Sequence, residues 1–223
     1  AREIGHPYTL AYAGHHTSWL YHCLKLPNEM LAINDDTLRL STEHGFPLFQ
    51  ATASIYLGAA SLLQGTAAVP LPLLIDGLDR YRAIGSGLAL PFYLSLIGEA
   101  CAAESKYEEA DKILSEGLSI ANKTDERCQE AELHRLRGEI VTIAGGDLTK
   151  AEEHFSRSLA TAKRQHSKAW QLRTSVSLAR LYRSTGRPSE AVSVLSEACG
   201  GYSEGFDFPD LKEASSLLRE LAT

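Results

Sequence analysis

The chain has 223 residues with a formal charge of −6, and 44% of them are hydrophobic and 22% charged. This composition is that of a folded protein rather than a disordered one, and the negative charge argues against general binding of nucleic acid. Its four cysteines include no Cys-x-x-Cys pair, so they indicate neither a zinc knuckle nor a disulfide framework.

The sequence also predicts where the protein resides. It contains no apolar run of about 18 residues that could span a membrane and no basic-then-apolar leader for export. We therefore expect a cytoplasmic protein with reduced thiols. Because Ala1 is not preceded by Met and lies close to a helical pattern, we also expect a piece of a longer protein.

Small residues recur with a period of about 40 along the chain. The first marker is a small residue, at Gly58, Gly98, Gly138 and Ala179. The second is an alanine four residues before a large apolar residue, in the pairs Ala110 and Leu114, Ala151 and Phe155, and Ala191 and Leu195. Two markers in step indicate repeated pairs of helices, in which small residues let the backbones approach and large residues fill the gap.

In chain order, this register predicts five helix pairs and one final helix. Glycine and proline mark the boundaries, as at Gly45 and Pro47, where one helix ends and the next begins. The predicted pairs are residues 7–44, 47–85, 88–123, 125–166 and 168–204, and the final helix is 209–222. The final helix has an apolar stripe and a charged face, which is typical of the cap of a repeat array.

The repeat chemistry predicts the fold class. Leu94, Gly98 and Cys101 in a first helix, followed by Ala110 and Leu114 in a second, are typical of a tetratricopeptide-like (TPR-like) repeat. No segment shows the two-residue alternation of a strand. The predicted fold is all-α, a TPR-like right-handed α-solenoid.

Three segments carry a more specific resemblance: residues 123–140, 172–182 and 204–214. They resemble the C-terminal TPR-like region of bacterial proteins that join a class III adenylate or guanylate cyclase domain, or a DNA-binding domain, to an AAA-type ATPase. The resemblance implies a helical regulatory region. The sequence lacks a phosphate-binding Gly-x-x-x-x-Gly-Lys-Ser/Thr loop and the paired aspartates of a cyclase, so we predict no catalytic residue and no cofactor.

One candidate site is an aromatic and imidazole patch on the first helix. Tyr12, His15, Trp19 and His22 lie three to four residues apart and therefore share one face. The patch would hold a ligand, or Trp19 would pack on the next helix pair while the histidines are solvated. Two histidines seven residues apart without a carboxylate make a poor zinc site, so no metal is predicted.

The other candidate site is a basic band. Residues 99–153 contain 14 acidic and 7 basic residues, whereas residues 154–187 contain 8 basic residues and no acid. Arg173, Arg180 and Arg183 share one helix face and could hold a phosphate or carboxylate. The alternative is that they form ion pairs with the facing groups one helix pair earlier, which include Glu132, Arg135 and Glu139. Arg135 and Glu139 are also candidates for the binding surface.

These observations leave two functions open. The first is a non-catalytic interaction or autoregulatory module, whose partner is another protein or the protein's own effector domain. The second is a sensor that binds a metabolite, such as a small anionic ligand, in the groove of the repeats. A nucleic-acid partner is disfavoured because, apart from Phe155 at a predicted core position, the basic band offers only Trp170 and Tyr182 to stack on bases.

Overall fold

The structure is a computed structural model that describes residues 5–65 and 71–222. Within these ranges it contains eleven α-helices and no strand, which confirms the all-α prediction. The helices are α1 (Pro7–Cys23), α2 (Pro27–Glu43), α3 (Pro47–Leu63), α4 (Leu71–Ala83), α5 (Leu90–Ala103), α6 (Tyr107–Thr124), α7 (Glu130–Ile143), α8 (Leu148–Arg164), α9 (Lys168–Ser184), α10 (Pro188–Gly200) and α11 (Pro209–Leu221). The predicted connection at residues 66–70 lies outside the described residues.

The helix boundaries follow from backbone chemistry. Proline occupies the first turn of several helices, as at Pro47 and Pro188, where its missing N–H leaves no helical hydrogen bond unmade. Gly45 and Gly186 follow α2 and α9 with φ of 68° and 72°, a left-handed conformation that suits glycine. None of the helices in the described ranges has the length and hydropathy of a membrane span.

Two helices begin later than the sequence predicted. Helix α5 begins at Leu90 rather than residue 88 because Ala89 has a left-handed φ of 60°. Helix α7 begins at Glu130, whereas the predicted pair begins at residue 125. Asp125 also has a φ of 60°, and its carboxylate accepts a 2.6 Å hydrogen bond from Arg127 Nε, which holds a turn before the helix.

The chain consists of two compact units, residues 1–104 and residues 105–223. In unit 1, α1 packs on α2 and α3 packs on α4, while the first helices α1, α3 and α5 contact one another in that order. In unit 2, α7 packs on α8 and α9 packs on α10, and α7, α9 and α11 contact in the same manner. The predicted third pair has α5 in unit 1 and α6 in unit 2, so their pairing stays a prediction.

The predicted small residues set the distance between paired helices. A Cβ added to Gly58 of α3 would lie 2.5 Å from Leu74 of α4, and one added to Gly138 of α7 would lie 2.5 Å from the ring of Phe155 of α8. Both large residues are buried. Equivalent contacts are therefore made in both units, by glycines that lie 80 positions apart in the sequence.

A buried polar contact also joins three helices of unit 2. The hydroxyl of Ser158 in α8 donates to the carbonyl oxygen of Ala131 in α7 at 2.7 Å. Its oxygen also lies 2.7 Å from the hydroxyl of Thr174 in α9. Because these hydroxyls are buried and bonded, they favour this one arrangement of α7, α8 and α9.

Gly138→Ala should destabilise unit 2. Alanine is the better helix former by about 1 kcal/mol, but its methyl group would overlap the Phe155 ring, and such overpacking costs about 1–3 kcal/mol. We expect a net loss in the free energy of unfolding measured by urea denaturation. Gly200→Ala is the matched control, since no atom lies within 4 Å of the new Cβ. Equal effects of the two substitutions would contradict this account of the close approach.

Candidate binding surfaces of the first helices

The predicted patch on α1 lies against aromatic side chains of α3 and α5. The ring of His15 lies 5.9 Å from that of Phe49 and 5.5 Å from that of Tyr56. The rings of Trp19 and His22 lie 5.3 and 5.5 Å from that of Phe92. All four side chains therefore contact rings of α3 or α5, and the contact of Tyr12 is the longest, with its ring 6.5 Å from that of Phe49.

Burial determines the charge of His15. Its Nδ1 lies 3.1 Å from the hydroxyl of Thr52. Burial among the rings, with a smaller contribution from His16, lowers the pKa of His15 from 6.5 to about 4. The imidazole is therefore neutral near pH 7. No group of three His, Cys, Asp or Glu side chains in the described ranges is placed to hold a metal ion.

The open part of this patch is aromatic. Tyr12 is 52% exposed, and Tyr8, one turn earlier, is 46% exposed. The ring of His16 lies 4.2 Å from that of Tyr12. Tyr8 and His16 were not among the predicted residues, although each lies four residues from Tyr12, a spacing that places them on the same helix face.

The three predicted arginines of α9 form ion pairs with α11. Arg173 Nε lies 2.7 Å from Asp210, Arg180 lies 2.8 Å from Glu213, and Arg183 lies 2.9 Å from Glu220. The acidic partners lie on α11, which follows α9 and α10 in the chain. The partners considered from the sequence lie one helix pair before α9, on α7. Each pair is separated by 33 to 37 residues, about one repeat, a signal that could have identified these partners.

The three pairs differ in burial. The side chains of Arg173 and Asp210 are 9% and 18% exposed. Arg173 also lies 5.0 Å from the ring of Trp170. The side chains of Arg180 and Arg183, in contrast, are 52% and 48% exposed. The arginine face therefore has one buried pair and two that remain open to solvent.

Arg135 and Glu139 belong to a separate network on α7. Arg135 donates two 2.7 Å hydrogen bonds to the carboxylate of Glu132 and lies 3.3 Å from Glu139. Ser177 of α9 donates to Glu139. The two predicted residues thus contact each other and reach α9 through the Ser177 hydroxyl.

Other residues of the basic band form ion pairs with acids on both sides of the band in the sequence. Arg187 makes two hydrogen bonds, of 2.7 and 3.0 Å, to Glu152 of α8. Lys163 lies 2.7 Å from Glu197 of α10. Basic residues of the band therefore pair both with the acidic segment before them and with acids that follow.

Unit 2 also contains a small cavity among α8, α9 and α10. Its volume is about 200 Å³. Its polar lining residues include Lys163, Lys168, Gln171 and Glu197, and its apolar ones include Leu159 and Val194. Lys168 Nζ donates to the carbonyl oxygen of Gly201 at its edge. Pockets for drug-sized ligands measure about 300–1,000 Å³, so this cavity would admit only a small molecule.

Comparisons with known proteins identify the repeat type. Residues 129–204 match the family model of the tetratricopeptide repeat. One similar crystal structure contains nearly identical TPR-like repeats of a putative kinesin light chain from Podosopora anserina, in a single-residue variant. Its TM-score is 0.59 and its sequence identity to this chain is 17%. The similarity covers 87% of this chain and 95% of that chain.

A second structure of the same Podosopora anserina repeats has a TM-score of 0.57, 18% identity and the same coverage. No curated protein matches the chain. At these identities the structural likeness concerns the fold. The chain therefore has a TPR-like helical-repeat fold, as the sequence predicted, and TPR repeats generally mediate interactions between proteins.

Arg173→Ala should weaken the docking of α11. The substitution leaves Asp210 without its arginine in a largely buried position, and we expect a loss of about 2–3 kcal/mol, below the cost for a fully buried pair. Arg183→Ala, at an exposed pair, should cost less than about 1 kcal/mol. Urea denaturation followed by circular dichroism measures both. A loss of the same size in the two variants would show that burial does not distinguish the pairs.

Stability should also depend on pH through His134. Burial, then His154, Arg137 and Arg157, lowers the pKa of His134 from 6.5 to about 4. As the pH falls, His134 therefore binds a proton in the unfolded chain at a higher pH than in the folded chain. The free energy of unfolding should consequently fall as the pH falls from about 6.5 to 4.

His134→Leu provides the comparison variant for this pH dependence. It places at position 134 the residue type found one period earlier, at the buried Leu94. The variant should reduce, but not abolish, the dependence of the free energy of unfolding on pH, measured by urea denaturation between about pH 7 and 4, because burial also lowers the pKa of His15 and that of His154. An unchanged dependence would contradict the assignment to His134.

Proposed function

We propose that the chain is a non-catalytic protein-interaction module whose partner contacts the exposed arginines of α9. Following the resemblance of residues 123–140 and 204–214, we further propose that it is the autoregulatory arm of a bacterial, cytoplasmic signalling protein of the cyclase or ATPase type. Its partner would be another protein or the protein's own effector domain. The observation that carries the proposal is the half-exposed state of Arg180 and Arg183 in their ion pairs.

The exposed pairs can exchange partners at little cost. Glu213 and Glu220 are themselves 34% and 57% exposed. Exposed ion pairs contribute about 0–1 kcal/mol. A carboxylate of a bound protein can therefore replace either glutamate and gain a charge-assisted hydrogen bond from the same guanidinium.

The buried pair between Arg173 and Asp210 holds the start of α11 against α9. Arg173 and Asp210 lie at the start of α9 and α11, and removing either would leave the other charge in a largely buried site. Arg180 and Arg183 lie two and three turns further along α9. A partner could therefore displace their glutamates while the start of α11 stays docked.

Unit 1 offers a second contact surface of different chemistry. Tyr8 and Tyr12 are about half exposed, on a helix that contains no Lys, Arg, Asp or Glu. Tyrosine is enriched among the residues that dominate binding energy at protein interfaces. We propose that this surface binds an apolar or aromatic side chain of a partner.

The cavity among α8, α9 and α10 favours a second candidate function, the sensing of a small anion. Lys163 and Lys168 line it together with His166 and with Glu197, the ion-pair partner of Lys163 at 2.7 Å, which an anion would have to displace. Its small volume fits a compact carboxylate or phosphate better than a sugar or nucleotide. The cavity residues are not those of the α9 arginine face, so the two functions can be tested separately.

Peptide selection tests the arginine face. Random peptides displayed on phage and selected on the chain should be enriched in Asp or Glu and should bind with a Kd of about 1–100 µM. The double variant Arg180→Ala/Arg183→Ala should bind them at least about tenfold more weakly, and raised salt should weaken binding to the wild type. Fluorescence anisotropy of labelled peptides gives these affinities.

Arg39→Ala is the matched control. Arg39 is an exposed arginine that pairs with Asp36 and Glu43 on its own helix, α2. The substitution should leave peptide affinity unchanged. Equal affinity of the double variant and wild type would refute the proposal. A saturable rise in Tm with phosphate or citrate that Lys163→Ala abolishes would instead support the anion sensor.

A further inference from the structure

One arginine of unit 1 joins the two helices of a hairpin. Arg80 of α4 donates from Nη2 to the hydroxyl oxygen of Ser54 in α3 at 2.6 Å. The same nitrogen lies 2.9 Å from the carboxylate of Asp76, one turn earlier on α4. A guanidinium is thus held by one hydroxyl and one carboxylate.

The positions of this contact recur 121 residues later, after three repeat periods. The same distance separates two of the repeat markers, Gly58 and Ala179. The positions equivalent to Ser54, Asp76 and Arg80 are Ser175, Glu197 and Gly201. The hydroxyl and the carboxylate are therefore retained in the hairpin of α9 and α10, whereas the arginine is replaced by glycine.

A second contact supports this alignment of the two hairpins. Gln50 of α3 donates from its amide to the carbonyl oxygen of Ser41 in α2 at 2.8 Å. Gln171 of α9 donates in the same way to the carbonyl oxygen of Ala162 in α8 at 3.4 Å. Donor and acceptor are each displaced by the same 121 positions. Equivalent positions in the sequence are thus equivalent in the fold.

The glycine leaves a space beside the retained hydroxyl and carboxylate. Ser175, Glu197 and Gly201 all line the cavity of about 200 Å³ among α8, α9 and α10. Ser175 is 1% exposed, and its hydroxyl has no hydrogen-bond partner among the residues that the structure describes. Because a water molecule takes up about 30 Å³ in the liquid, the cavity suits a group of about six or seven heavy atoms.

We propose that this cavity binds a guanidinium group, which belongs to an arginine of a partner protein or to a small guanidino compound. The group would donate to Ser175 and pair with Glu197, as Arg80 does with Ser54 and Asp76. The planar fork of N–H donors suits a carboxylate and a hydroxyl at once. The proposal assigns a cation to the cavity considered above for a small anion, and it does not depend on the arginine face of α9.

The lysines of the cavity permit this exchange. Lys163 pairs with Glu197, but the two side chains are 47% and 67% exposed, so their pair contributes little to stability. Lys168 is exposed and donates to the carbonyl oxygen of Gly201, and solvent and salt screen its charge. A guanidinium would replace one cation by another at Glu197 and would also satisfy the Ser175 hydroxyl.

Titration of the intact chain with propylguanidinium, followed by nitrogen-15 NMR, tests the proposal. This probe is the arginine side chain without its backbone. It should shift the amides of Ser175 and Gly201 saturably, with a Kd of about 1–10 mM. Propylammonium, which lacks the fork, should bind at least about tenfold more weakly.

Two results of this titration would overturn the proposal. The first is the absence of a saturable shift with propylguanidinium. The second is saturation of the same amides by phosphate alone, which would favour the anion sensor. Neither result bears on the arginine face of α9, whose peptide binding is measured separately.

Gly201→Arg should fill the cavity from within. Gly201 has a helical φ of −76°, and a Cβ added there lies 3.4 Å from its nearest neighbour, so the backbone accepts a side chain. The variant should have a raised Tm and should no longer bind propylguanidinium. Gly200→Arg is the matched control, because its new Cβ meets no atom within 4 Å, and it should bind as the wild type does. Undiminished binding by Gly201→Arg would contradict the site.

Arg80→Gly tests the equivalence of the two hairpins. The substitution should open a second cavity beside Ser54 and Asp76. Propylguanidinium should then shift the Ser54 amide saturably as well, which it should not do in the wild type. A variant that gains no second site would show that the retained hydroxyl and carboxylate do not suffice for binding.

A peptide with one arginine between alanines distinguishes the two sources of the guanidinium. Tighter binding of the peptide than of propylguanidinium assigns the cavity to a partner protein. Weaker binding of the peptide assigns it to a small guanidino compound. In both cases Gly201→Arg should abolish the binding.

Discussion

The fold depends on close contact between a small residue of a first helix and a large residue of the second. Gly58 against Leu74 and Gly138 against the ring of Phe155 allow the helix axes to approach until side chains fill the gap. Once a hairpin is set in this way, its first helix has a fixed face toward the next first helix. These contacts position the aromatic side chains of α3 and the charged side chains of α7.

The sequence predicted the repeated contact because small and large residues recur in step. It could not predict which groups meet between helices. The partners of Arg173 and Arg180 are Asp210 and Glu213 on α11, and that choice depends on the rotation of each helix about its axis. Similarly, Trp19 reaches Phe92 of α5, a contact that requires the three-dimensional path of unit 1. The boundaries at Ala89 and Asp125 depend on left-handed backbone conformations in residues other than glycine, which composition does not reveal.

The two units present different chemistry on their first helices. Those of unit 1 carry a single charged residue, Glu99, and contact one another through aromatic rings. Those of unit 2 contact through ion pairs and hydrogen bonds, from Arg135 on α7 to Glu220 on α11. One repeat geometry thus supports an apolar, aromatic surface in unit 1 and a charged surface in unit 2. In the interaction module that we propose, the two surfaces would contact a partner through different chemistry.

The central claim is that the arginine face of α9 divides into one fixed pair and two exchangeable pairs. Proton exchange at the arginine Nε–H groups, measured by nitrogen-15 NMR on the intact chain, tests it most directly. The account predicts slow exchange at Arg173, whose Nε lies 2.7 Å from Asp210 in a largely buried pair, and fast exchange at Arg180 and Arg183. Similar protection of all three Nε–H groups would contradict it, because the two outer arginines would then be as fixed as the inner one.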